Sequence, residues 1–102
     1  MIKAVMVVKD IKGKIFVQPH AVETVEIAIR DFKEAASDEK KQSTLAKYPG
    51  DYDLLHIGWF NPEKGTIEPI EPTVALHGKH IGQKENVVRE NEGTGIKPVA
   101  IN

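Results

Sequence analysis

Between Ala21 and Ala36 the apolar residues are Ala21, Val22, Val25, Ala28, Ile29, Phe32, Ala35 and Ala36. Spacings of three and four place them on one face of an α-helix, a period no strand can satisfy. Glu23, Glu26, Arg30, Lys33 and Glu34 mostly fill the other face. Glu26 and Arg30 form an i,i+4 pair of favourable orientation, and Glu23 and Glu26 sit where the helix dipole favours anions. A helix with one apolar face must bury it against another element. The rest of the chain offers mainly β-type segments, so a single helix packed on a sheet is the architecture this sequence permits.

Those segments are arranged as two hairpins. Ile2–Val8 is β-branched and reads as a strand. Asp10-Ile-Lys-Gly13 supplies a turn, with Gly13 available for positive φ, and Lys14–Gln18 resumes as a second strand that Pro19 ends. Beyond the helix, Ser37–Ser43 is polar and reads either as more helix or as a loop. Thr44–Tyr48 is a short helical turn stopped by Pro49-Gly50. Tyr52–Phe60 is a third strand and Asn61-Pro-Glu-Lys-Gly65 a second turn. Thr66–Glu68 begins a short fourth strand that Pro69 and Pro72 end or confine to an edge. Val74–Ile81 reads as a last helical turn. The expected fold is α+β: a four-stranded antiparallel sheet from two β-hairpins (β-β-α-β-β), with one long helix on one face. It forms a single domain over residues 1–81, followed by a flexible, polar C-terminal tail over 82–102.

A chain of 102 residues closes around one modest core. It contains no cysteine, which excludes disulfides, thiolate metal sites and cysteine nucleophiles and suits a reducing compartment. Net charge is −1, which argues against a whole-surface polyelectrolyte binder but leaves room for a local basic patch. Ala4–Val8 is too short to span a bilayer or to form a signal-peptide core, so the expectation is a cytoplasmic protein with no membrane partner.

No catalytic motif is legible. His77-Gly-Lys-His80 places two histidines three apart, but no carboxylate or thiolate cluster accompanies them, and they read as surface residues. Asp51 and Asp53 flank Tyr52 and point to opposite faces of an extended segment, a poor acid–base pair. Asp51 reads instead as fixing the turn after Pro49-Gly50. Gly93-Thr-Gly95 lacks the strand, helix and lysine of a phosphate loop. The reading is therefore a non-enzyme with no catalytic residue, no metal and no cofactor.

Strand alternation shows what the sheet displays. In the third strand Leu55, Ile57 and Trp59 oppose Tyr52, Leu54, His56, Gly58 and Phe60. One helix covers one face, and the expectation is that Lys3, Lys9, Lys14, Phe16, His56 and Phe60 lie away from it. A face with this much apolar and aromatic surface calls for a partner. One reading is a homodimer. The other is a single-stranded nucleic-acid platform, with bases stacking on Phe16, Phe60 or Tyr52 and phosphates meeting Lys3, Lys9 and Lys14.

The run Tyr48-Pro-Gly-Asp-Tyr-Asp-Leu-Leu-His-Ile-Gly-Trp-Phe-Asn-Pro-Glu-Lys-Gly65 resembles the core of the small non-structural protein of gokushovirus-type microviruses, tailless phages with circular single-stranded DNA genomes. The shared pattern is a Pro-x-Asp-Tyr segment, an apolar strand ending in Gly-x-Phe and a Gly-containing turn. A short hairpin and a helix with Ala28-Ile29-Arg30-Asp31-Phe32 precede it, and the likeness runs over residues 1 to 72. The resemblance implies a non-capsid protein of the infected host cytoplasm, acting in viral DNA synthesis or in the switch to single-stranded genome production and packaging. It also implies DNA binding. The alternative is a dimeric interaction module for a viral replication protein, a procapsid component or a host factor, without DNA contact.

Overall fold

The computed structural model describes residues 1–38 and 43–81, so the expected tail over 82–102 lies outside the described residues. The elements are β1 (Lys3–Asp10), β2 (Ile15–Val22), α1 (Val25–Ser37), α2 (Thr44–Lys47), a 3-10 turn (Pro49–Asp51), β3 (Tyr52–Asn61) and β4 (Thr66–His77). The strands form one antiparallel sheet in the order β2-β1-β3-β4. Each hairpin contributes its first strand to the centre and its second to an edge, and α1 carries the chain from one edge to the middle.

The two hairpin turns are built alike. In the first, Asp10 Oδ1 accepts from Gly13 N at 2.9 Å and Lys14 N donates to the Asp10 carbonyl at 2.7 Å. In the second, Asn61 Oδ1 accepts from Glu63 N and Lys64 N at 3.0 and 3.2 Å, and Gly65 N donates to the Asn61 carbonyl at 2.7 Å. The fifth residue is left-handed in both, Lys14 at φ 60° and Gly65 at φ 69°. The positive φ expected at Gly13 thus falls on Lys14. A Cβ at Gly13 would instead lie 2.7 Å from the Asp10 carboxylate, so this glycine makes room for the side chain that closes the turn.

Both edge strands run further than their prolines suggest. β2 continues through Pro19 to Val22, and β4 through Pro69 and Pro72 to His77, so Val74–His77 is strand rather than helix. A proline lacks the ladder N–H, a loss tolerated at an edge or in a bulge. At Pro19 the register slips between Met6/Val8 and Gln18 turns to φ 58°. Around Pro72 it slips between His56/Gly58. The helix consequently starts at Val25, not Ala21, and Thr24 caps it by accepting from Ile27 N at 3.1 Å.

The core lies between α1 and one sheet face. Ala4, Met6 and Val8 of β1 and Leu54 of β3 meet Ala28 and Phe32, with Val17, Val22, Val25, Ile29, Leu45 and Tyr52 around them. Gly78 locks the far end of β4 to the 3-10 turn. Its N–H donates to the Tyr52 carbonyl at 2.9 Å, and a Cβ there would run into the carbonyl oxygens of Pro49 and Tyr52.

Candidate nucleic-acid interface

One extra residue decides which side chains share the open face. Along the β1–β3 ladder the register shifts between Val5/Met6: Val5 pairs with Gly58, but Met6 pairs with His56, leaving Ile57 as the bulge. A slip of one residue exchanges faces. On the helix side the ladder therefore carries Tyr52, Leu54, His56 and Trp59, opposite Asp10, Val8, Met6 and Ala4. Asp53, Leu55, Gly58 and Phe60 go to the other side, opposite Lys9, Val7, Val5 and Lys3.

Three expectations are corrected here. His56 does not lie on the open face. Its Nε2–H donates to the Gly58 carbonyl at 2.9 Å, and its ring meets Trp59 edge-on, centroids 4.5 Å apart. Tyr52 packs against the core and is not a stacking surface on that face. Lys14 stands in the turn between β1 and β2, beside the open face instead of on it.

Lys3, Lys9, Phe16 and Phe60 do share the uncovered face. At one end a transverse row reads Phe16, Lys9, Asp53, His77 across the four strands, and at the other Lys3 pairs with Phe60 and Phe60 with Ile67. The Lys9 ammonium lies over the Phe16 ring, 5.6 Å from its centroid, a cation–π contact that holds the charge at one face of the ring. Phe16 is 52% exposed. Phe60 lines a shallow concavity of about 210 Å³ with Val5, Pro19, Ala21 and Ile67. Lys3 pairs with Glu23 at 3.6 Å, an exposed contact that is cheap to exchange for another anion. Lys3 and Lys9 stand six steps apart along β1, about 20 Å of strand. Between the two ends the face is apolar, with Val5, Val7 and Leu55 buried and Val74, the partner of Leu55 on β4, exposed.

The expected surface histidines have local partners. His77 Nδ1 stands 3.1 Å from Asp53 Oδ1, and the His77 and His80 rings meet edge-on at 5.5 Å. Among the described residues no group of three or more His, Cys, Asp or Glu is placed to hold a metal ion. The Asp51 carboxylate pairs with Lys12 at 3.5 Å, and its carbonyl accepts from Ile11 N at 2.9 Å. It therefore ties the first hairpin to the 3-10 turn, beyond the local role read from sequence. No described helix is long and apolar enough to cross a membrane.

The arrangement defines a small α+β sheet-platform protein, with helices on one face and an aromatic–basic surface on the other. By sequence the chain belongs to the Phage ORF5 protein family, whose profile matches residues 3–82. Over 46 residues it is 37% identical to Protein ORF5 of Chlamydia phage 1, a match covering 45% of this chain and 48% of that protein. The chain is thus a phage protein, and it matches about half the length of this relative. No solved structure matches it.

Proposed function

We propose that this chain is a non-enzymatic accessory protein of a microvirus-type phage. It acts in the host cytoplasm, in viral DNA replication or in single-stranded genome synthesis and packaging, by binding single-stranded DNA on the open face of its sheet. The observation that carries the reading is the convergence of Lys3, Lys9, Phe16 and Phe60 on the face α1 leaves uncovered. An aromatic with a lysine beside it at each end is the chemistry a single strand requires: a π-face for a base, a cation for its phosphate. Lys14, at the hairpin tip next to Phe16 and Lys9, extends the basic end. A chain of net charge −1 owes little to bulk attraction, so binding depends on these few residues.

The test is the pair Phe16→Ala and Phe60→Ala, read by anisotropy of a labelled single-stranded oligonucleotide. Stacking is worth about 1–3 kcal/mol per base, so each change weakens binding roughly 5- to 150-fold. Unchanged binding in both variants, with far-UV circular dichroism intact, removes the open face as the site.

A second reading is a dimeric interaction module that buries the same face against another copy or a viral replication or procapsid protein. It is favoured by the apolar middle of the face, where the row Val7, Leu55, Val74 runs across three strands and Val74 is exposed. Sedimentation equilibrium separates the two: a dimer that Val74→Lys disrupts, with no oligonucleotide bound, supports the module.

A further inference from the structure

On the helix side of the sheet, α1 leaves the β3–β4 end bare. A second concavity, of about 300 Å³, opens there, lined by Ile2, Trp59, Asn61, Lys64 and Glu68 among others. That is the lower end of the size range of small-ligand pockets. Its floor is a large aromatic ring that is neither buried nor loose. Trp59 is 39% exposed, and His56 braces it edge-on at 4.5 Å while being held in turn by the Gly58 carbonyl. Glu68 stands directly opposite Trp59 in the β3–β4 ladder, and Lys64 lies in the adjoining turn, whose shape the Asn61 side chain fixes. A rigid ring flanked by one carboxylate and one ammonium is a polarised site: a π-face, an acceptor on one side and a cation on the other.

From this geometry we infer that the concavity is a base-reading site for an unpaired nucleotide, distinct from the open face. The base stacks on Trp59, presents an amino group to the Glu68 carboxylate, and turns its phosphate toward Lys64. A carboxylate repels phosphate, so the orientation is fixed by charge. The same carboxylate accepts from the N4 amino group of cytosine. Thymine offers a carbonyl at that position, which the carboxylate repels. The site therefore favours cytosine over thymine. This inference rests on single-stranded DNA as the ligand and adds to that reading a residue-level base preference.

Trp59 is the single tryptophan of the chain and lines this concavity, so its fluorescence and its indole Nε1–H resonance report on this site. The experiment titrates the isotope-labelled full chain with dC and dT tetranucleotides, following that resonance together with the anisotropy of the labelled oligonucleotide. The expected result is a shifted indole resonance and quenched fluorescence, with dC bound about tenfold more tightly than dT. Glu68→Gln, a change of one exposed group, should bring the two affinities within about twofold, since the amide no longer repels thymine O4. Binding by anisotropy with an unmoved indole resonance overturns the pocket and leaves the open face standing. A shifted resonance with binding indifferent to Phe16→Ala and Phe60→Ala keeps the pocket and overturns the open face. No binding of either tetranucleotide at low salt overturns both.

Discussion

At the scale of single residues, the glycines separate packing from backbone conformation. Gly78 is required because carbonyl oxygens of Pro49 and Tyr52 occupy the space a Cβ would need. Gly78→Ala is expected to cost about 3 kcal/mol, since backbone on both sides must move. Gly65 is required only for its φ of 69°, with open space around its missing Cβ. Gly65→Ala should cost about 1 kcal/mol, the price of a left-handed alanine. Urea unfolding midpoints of the two variants check the difference, and equal losses would mean the Gly78 contact relaxes freely. The place of Gly65 in a turn was readable from sequence, and the requirement at Gly78 was not. In the sequence Gly78 stands between two surface histidines, and the close approach that explains it comes from the turn at Pro49–Asp51, far away along the chain.

At the scale of elements, α1 depends on its cap. Thr24 Oγ1 satisfies an N–H that would otherwise face the end of the helix unpaired. Thr24→Ala should cost about 1 kcal/mol in the same assay, and Thr24→Ser should restore most of it. The helix was legible because its apolar period runs over several turns, and both turns were legible because Asp10, Asn61 and Gly65 carry their own local chemistry. The lengths of β2 and β4 were not. Pro19, Pro69 and Pro72 are stop signals in a central strand but acceptable on an edge, and edge position follows from the pairing of β1 with β3, which no local pattern encodes. The faces of β3 failed for a related reason. Strict alternation placed His56 with Phe60 and Trp59 with Leu55, while the bulge at Ile57 exchanges the partners of everything after it. Four of the proposed contacts kept their common face because Lys3 and Lys9 alternate along β1, whose partner β3 carries the bulge, while Phe16 is paired with Lys9 and Phe60 with Lys3.

For the whole molecule, the open face carries a lysine and an aromatic ring at each end, and the core beneath it is thin. Met6 and Leu54 are the largest fully buried side chains among the described residues. Met6→Ala is therefore expected to cost about 2–5 kcal/mol, a large share of the stability of a domain this size, while the exposed Phe16 can be removed with little loss. Thermal melting of the two variants side by side tests whether the open face is free of a structural role, as the binding account requires. The central claim is that this face binds single-stranded DNA through a few lysines and aromatics. The most direct measurement is the anisotropy of a labelled single strand against wild-type protein over a series of salt concentrations, with duplex as the competitor. The account predicts preference for the single strand and a log–log salt slope that falls by about 0.7 when Lys3 or Lys9 is changed to Gln. Absence of binding at the lowest salt, or equal affinity for duplex with a slope untouched by either change, would contradict it.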